Sequence, residues 1–224
     1  MVKKLKVPEA EIQRLQEMMR YEQDLYEQGV QYIAGIDEAG RGPLAGPVVA
    51  AAVILPRDFF VPGIDDSKRL KPSLREELSI EIKKSSLDWA VGIVSVPCLD
   101  QINIYQATKL AMITAVSNLS IKAQHLIIDA VKLDELGIPQ TPLVKGDSLS
   151  QSVACASILA KVERDAIMEG YDELYPGYGF IKHKGYGTRE HMEALFRLGP
   201  CPVHRTSFEP VKSLTGEKDY AGQI

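Results

Sequence analysis

An α/β fold, with helices covering a mixed sheet, is predicted by two features of the sequence. Three strand-like segments come early, the first two joined by a glycine- and proline-rich connection that suits a hairpin, and later strands alternate with helical stretches. Residues 9–28 read as one helix, with Ile12, Leu15, Met18 and Leu25 along a stripe and Gly29 as its stop. Tyr32–Asp37 is a strand rich in β-favouring residues. Gly40, Gly42, Pro43, Gly46 and Pro47 punctuate the connection to Val48–Leu55, a nearly all-apolar strand, so the pair reads as a buried hairpin. Ser73-Leu-Arg-Glu76 has the pattern of a capping box opening a helix whose Leu74, Leu78 and Ile82 recur every four residues. Trp89–Val96 is a third strand, and Asp100–Leu119 a helix with Ile104, Ala107, Leu110 and Ala111 on one side. His125–Asp129 is a short apolar strand ending on a carboxylate. Pro142–Val144 is another, ending at Lys145-Gly146-Asp147. Ser150–Leu174 is a long helix and Arg189–Leu198 a shorter one.

The 224 residues contain no repeat, low-complexity segment or interdomain linker, which fits one large domain or a domain with an appended segment. With 45% apolar and 25% charged residues, neither a disordered nor a collagen-like chain is expected. The longest uncharged apolar run, Val48–Pro56, is far short of the roughly 20 residues that span a bilayer. Lys3, Lys4 and Lys6 are followed by a charged helical pattern rather than a signal-peptide core, so no membrane or secretory role is expected. Cys98, Cys155 and Cys201 are odd in number and lack C-x-x-C spacing, which suits a reducing cytoplasm. The net charge of −4 excludes nucleic-acid binding by bulk charge. The distribution differs from the sum: between Gly177 and Lys212 there are six Lys or Arg against three Glu, with three of the four histidines, and such an end can hold a polyanion.

Asp37, Glu38, Asp129 and Asp147 each fall at or just past the C-terminal end of a strand. That edge of an open α/β sheet is where loops part into a ligand crevice. Four acids converging there would repel without a cation, and an all-oxygen donor set suits Mg²⁺ or Mn²⁺ and two-metal phosphoryl chemistry. Read singly, each acid is better served as a solvated strand end or a helix cap, Asp147 especially as an N-cap near Ser150; the set carries the metal reading. Gly40-Arg41-Gly42 brings backbone amides close to a ligand or simply makes a tight turn, and the two are compatible. Residues 182–191 interleave Lys, His and Arg with Tyr186 between glycines, a pattern for phosphates and for a ring that stacks on a sugar or base, the alternative being a solvated loop with a half-buried Tyr. His183, His191 and His204 match no zinc spacing and suit structural or phosphate-contacting roles. Ser157, Lys161 and Asp165 step by four along one helical face, either a plain surface or a line toward the site.

The segment Gly35-Ile-Asp37-Glu38-Ala-Gly40-Arg41-Gly42-Pro-Leu-Ala-Gly-Pro resembles the opening signature of bacterial type 2 ribonuclease H, ribonuclease HII. Further matches follow in order: Asp66-Ser67-Lys68, Ile102-Asn103-Ile104, Ile128-Asp129, Lys145-Gly146-Asp147 and Ala156–Lys161. Tyr178-Gly-Phe180, His183–Thr188 and His204–Phe208 complete the series, which covers about residues 31–213. The resemblance implies a ribonuclease H fold: a five-stranded mixed sheet flanked by helices, with an N-terminal helical extension over 1–30, a catalytic domain over 31–213 that includes a C-terminal helical portion, and a tail over 214–224.

The same resemblance implies an endoribonuclease that hydrolyses RNA in RNA/DNA hybrids and cuts 5′ of ribonucleotides embedded in duplex DNA, in ribonucleotide repair and primer removal. Asp37, Glu38, Asp129 and Asp147 match the family's catalytic carboxylates, which hold two Mg²⁺ or Mn²⁺ ions in the substrate complex, and the products carry 3′-hydroxyl and 5′-phosphate ends. Gly40, Arg41 and Gly42 match the motif that senses the ribose 2′-hydroxyl, Tyr186 the ring that stacks at the RNA–DNA junction, and Lys68 and Lys184 contacts to phosphates. A monomer is expected, and no clamp-binding motif is evident in the tail. Ala130 and Cys155 depart from the glycine and alanine of many relatives. The alternative is another nuclease on the same fold, such as a DNA junction resolvase, which would not need the glycine–tyrosine pair. A glycosidase has little support in a chain with one Trp.

Overall fold

A computed structural model describes residues 7–216. Five strands form one sheet in the order β3-β2-β1-β4-β5: β1 Ile33–Ala39, β2 Val48–Ile54, β3 Asp88–Val94, β4 His125–Asp129 and β5 Gln140–Leu143. β1, β2 and β3 pair antiparallel, while β1–β4 and β4–β5 pair parallel, so β1, β4 and β5 end on one edge. The expected mixed five-stranded sheet is present. β5 is an edge strand, where Pro142 costs no ladder bond on the open side.

Helices α1 Glu9–Met18, α2 Arg20–Glu27, α3 Pro72–Ser85, α4 Val96–Ile102, α5 Ile104–Ser117, α6 Gln151–Leu174, α7 Phe180–His183, α8 Arg189–Leu198 and α9 Val211–Gly216 surround it. Strand alternation divides the core in two. Ala34, Ile36, Ala50, Ala52, Leu126 and Ile128 face α5, through Ala107, Ala111 and Met112. Ala51 and Val53 face α6, α3 and α1, through Ile158, Leu159, Ile82 and Leu15. Small residues on β1 and β2 let α6 lie almost against the strands. A Cβ on Gly35 would fall far inside van der Waals contact of the Ser152 carbonyl carbon and Oγ and the Val153 nitrogen.

Several boundaries differ from the expectation. The single helix over 9–28 is two helices, broken at Met19 (φ −87°, ψ 0°). The break lets Leu15 and Met18 enter the α6 core while Tyr21, Leu25 and Tyr26 pack on a separate cluster around Ile33 and Ile127. The capping box does not form: α3 starts at Pro72, whose fixed φ suits a first helical turn, Lys71 precedes it with no side-chain cap, and Leu74 is exposed. The helix over 100–119 is interrupted at Asn103 (φ 70°), which caps α5 by accepting from the Tyr105 and Gln106 amides at 3.0 and 3.1 Å. The third strand ends at Val94, and Val96 opens α4. Near the C-terminus, α9 runs past residue 213 into the expected tail, whose residues 217–224 lie outside the described residues, as do Lys3, Lys4 and Lys6.

The N-terminal pair α1–α2 packs on the domain. Glu22 is buried on α2, and its Oε1 accepts from the Ser150 hydroxyl (2.6 Å), the Ser152 hydroxyl (2.7 Å) and the Ser152 amide (3.0 Å) at the start of α6. A carboxylate there satisfies first-turn donors and meets the positive end of the helix.

Candidate active site

Parallel pairing of β1 and β4 ends at Ile36 beside Ile128, so the next residues, Asp37 and Asp129, emerge side by side on the face that carries α6. Alternation turns Glu38 toward the opposite face, at the same strand end. Asp147 comes from a 3-10 turn, Gly146–Ser148, between β5 and α6. That turn is tied to Asp129, whose Oδ1 accepts from the Gly146 amide at 2.7 Å. Ser150, not Asp147, caps α6, with its Oγ 3.3 Å from the Val153 amide. Asp147 is therefore not accounted for as a helix cap.

The four acids meet an environment that resists their charge. Burial, then Glu38 and Asp129, push the Asp37 carboxyl well above its usual range, against the Ser157 hydroxyl, which lowers it. Glu38 is raised by burial and Asp129, with Arg41 (Nη1 to Oε1 3.4 Å) acting in the other direction. Asp147 is raised by burial and by Asp66, a fifth acid of the site. Lys68 reaches Asp147 Oδ2 at 3.5 Å; although burial opposes its charge, Asp147, Asp66 and Asp37 together raise it.

These residues fit a divalent cation by their donor chemistry and by one specific atom: Glu38 Oε2 is buried and has no hydrogen-bond partner. Among the described residues, no three His, Cys, Asp or Glu side chains are gathered closely enough to hold an ion as they stand. Each acid leans on a protein donor instead: Asp37 on the Glu38 amide at 2.7 Å, Asp129 on Gly146, Glu38 on Arg41, Asp147 on Lys68.

Beside the acids, the loop between β1 and β2 carries Gly40, Arg41 and Gly42, and the turn after α7 carries Tyr186. The two face one another: a Cβ on Gly42 would stand 3.9 Å from Tyr186 Cε1. Tyr186 is 44% exposed, available to a ligand, with the Lys161 ammonium 5.9 Å from its ring centroid. Of the i,i+4 line, Ser157 and Lys161 point to the site, while Asp165 pairs with Lys161 at 2.6 Å and Arg75 at 3.6 Å. Lys184 pairs at the rim with Glu169 at 2.7 Å.

The three histidines are structural. His183 and His191 stack at 4.3 Å between centroids, and Phe180 meets both edge-on. The Cys201 amide donates to His204 Nδ1 at 3.0 Å, His204 Nε2 lies 3.1 Å from His191 Nε2, and His191 Nδ1 lies 2.9 Å from the Tyr186 carbonyl. That order of donors assigns a neutral chain, His204 Nε2–H to His191 and His191 Nδ1–H to Tyr186. Burial and the neighbouring His191 lower His204 to about 4, which keeps it neutral at pH 7.

Sequence reasoning missed Asp66, Arg164 and Arg205. Asp66 stands in the Asp66-Ser67-Lys68 match, outside any predicted strand end, so nothing in its position marks it as part of the site. Arg164 and Arg205 are fully buried, which a basic residue in a charged stretch does not announce. The two departures have local explanations. Ala130 adopts φ 51°, a left-handed conformation that suits glycine and costs alanine roughly 1 kcal/mol, yet its amide still donates to Leu143 at 2.9 Å and holds the Asp129 loop. Cys155 is buried in the α6 core, where burial pushes its thiol up and leaves it a packing residue.

The ribonuclease HII family model matches residues 34–211. A ribonuclease HII of Syntrophomonas wolfei is 58% identical over 213 residues, 95% of this chain and 84% of that protein. Among solved structures, the ribonuclease H2 of Pyrococcus horikoshii OT3 superposes with a TM-score of 0.71 at 26% identity, covering 85% of this chain and all of that one. A ribonuclease HII from Archaeoglobus fulgidus, solved in complex with PCNA, gives 0.67 at 30% identity, covering 80% and 95%.

Proposed function

The chain belongs to the ribonuclease HII family, and on that premise we propose how its site selects and cuts its substrate. It is an endonuclease of the ribonuclease H class, acting on RNA paired with DNA and removing ribonucleotides from DNA. The cut falls on the 5′ side of a ribonucleotide, at the junction where RNA passes into DNA, and leaves 3′-hydroxyl and 5′-phosphate ends. The observation that carries this reading is the placing of four carboxylates at one sheet edge beside a glycine loop and an exposed tyrosine that face each other.

Asp37, Glu38, Asp129 and Asp147 would hold two Mg²⁺ or Mn²⁺ ions, which when bound supply a polarised water nucleophile and charge stabilisation at the leaving oxygen. The Ser157 hydroxyl and the Glu38 amide orient Asp37, and the Gly146 amide orients Asp129. Backbone atoms of Gly40, Arg41 and Gly42 read the 2′-hydroxyl, and the Tyr186 ring stacks on the sugar at the junction. Lys68, at the mouth of the site, and Lys184, at its rim, contact phosphates. One chain supplies every one of these groups, so the working unit is a monomer on hybrid or ribonucleotide-containing duplex. Among the described residues no helix is long and apolar enough to cross a membrane.

Three duplexes test the reading: all-DNA, one ribonucleotide in DNA, and a continuous RNA/DNA hybrid. Cleavage 5′ of the single ribonucleotide is expected, with the all-DNA duplex intact; cutting of the all-DNA duplex would point to a junction-type nuclease instead. Tyr186→Ala should lower the ratio of single-ribonucleotide to hybrid cleavage by about tenfold, since aromatic stacking on a nucleotide is worth roughly 1–3 kcal/mol. An unchanged ratio would remove Tyr186 from substrate selection.

A further inference from the structure

We propose that Arg164 is a positioning residue for substrate selection, setting the distance between the glycine loop and Tyr186. Arg164 lies on α6, behind the reading surface, and is fully buried. Its guanidinium donates to three carbonyls in two chain segments: Nε to Pro47 at 3.0 Å and Nη2 to Ala45 at 3.0 Å in the β1–β2 loop, and Nη1 to Lys184 at 3.0 Å, two residues before Tyr186. Among the described residues no carboxylate forms a salt bridge with it. A buried cation without a counter-ion is costly, and burial lowers its proton affinity, with Tyr186 and Asp165 acting in the other direction. A purely space-filling role would be served better by an apolar side chain. What only an arginine offers is a rigid planar fork whose donors reach several acceptors at fixed spacing.

The segments it joins abut at backbone level. The Leu44 amide donates to Gly185 O at 2.8 Å, and a Cβ on Gly185 would collide with Ala45 O. Arg205, the other fully buried guanidinium, spends its hydrogen bonds within the glycine loop, on the carbonyls of Gly40, Arg41, Gly46 and Pro47. It shapes the loop, whereas Arg164 locks the shaped loop to the tyrosine turn. The Tyr186 backbone is further held by His183 O on its amide (2.9 Å) and His191 on its carbonyl. A small change at Arg164 is therefore transmitted to the gap between Gly42 and Tyr186 through the Ala45, Pro47 and Lys184 carbonyls.

The inference rests on the reading that Gly40–Gly42 and Tyr186 select the ribonucleotide. Its test is a double-mutant cycle on Arg164→Lys and Tyr186→Ala, reading kcat/KM on the single-ribonucleotide duplex and on the continuous hybrid, with thermal unfolding of each variant. Arg164→Lys keeps the charge and loses the fork. The expected result is a fall of about fivefold in the single-ribonucleotide to hybrid ratio, with no further fall when the change is made in Tyr186→Ala. Arg164→Met, if it folds, should exceed the lysine variant. An equal loss on both substrates, or a Tm change with the ratio intact, would reduce Arg164 to a structural residue and overturn the proposal. So would fully additive effects. If Tyr186→Ala itself leaves the ratio unchanged, the selection reading fails and the proposal fails with it. If Tyr186→Ala shifts the ratio and Arg164→Lys does not, only the proposal fails.

Discussion

Asp37→Asn is expected to lower turnover by about 10³-fold or more while leaving the protein at least as stable as wild type. A lost metal ligand withdraws several kcal/mol of transition-state charge stabilisation, which is three or more powers of ten in rate. The stability side follows from the same residue. Burial, Glu38 and Asp129 all oppose the Asp37 charge, so a neutral isostere relieves repulsion, with an expected gain of about 1 kcal/mol, a rise of about 3 °C in Tm. Kinetics on a single-ribonucleotide duplex and a thermal melt in metal-free buffer check both. A variant with wild-type turnover would remove Asp37 from the chemistry, and a marked fall in Tm would show that the carboxylate contributes more to the fold than to the reaction.

Gly35→Ala is expected to have the largest effect on stability. The position lies on β1, two residues before Asp37, where α6 comes closest to the sheet. The added methyl would overlap the Ser152 carbonyl carbon and the Val153 nitrogen, which are backbone atoms of the first turn of α6 and cannot rotate away. Strand and helix must separate, at a cost of about 3 kcal/mol or more, which in a chain of this size lowers Tm by roughly 10 °C. Activity falls too, since α6 carries Ser157 against Asp37 and its N-terminus follows the Asp147 turn. A melt within about 2 °C of wild type would show that the helix yields easily and that the close approach is not what holds this edge together.

The sheet was legible because its strands carry their own signals: an apolar hairpin punctuated by glycine and proline, and two short apolar runs that each end near a carboxylate. The site was legible for the same reason, since three of its four acids sit on the strands that predict it and the fourth, Asp147, sits one turn beyond β5. Helix ends were less so. The break at Met19 comes from two clusters pulling one amphipathic stretch in different directions, and the break at Asn103 from a left-handed residue that side-chain periodicity does not reveal. Arg164 and Arg205 were missed because their partners are backbone carbonyls up to 165 residues away, which no local pattern encodes. The histidines were read with their structural role open, and the structure gives them one: a neutral chain ending on the Tyr186 carbonyl.

The central claim is that the four carboxylates act on the scissile phosphate through divalent ions. The most direct measurement is cleavage of a single-ribonucleotide duplex whose scissile phosphate has one non-bridging oxygen replaced by sulfur, in Mg²⁺, in Mn²⁺ and in EDTA, against the all-oxygen duplex. The account predicts no cleavage in EDTA, a rate on the sulfur substrate reduced by about tenfold or more in Mg²⁺ for one of the two diastereomers, and recovery in Mn²⁺, which accepts softer ligands. Cleavage that persists in EDTA, or a sulfur effect of the same size with both metals and both diastereomers, would contradict it.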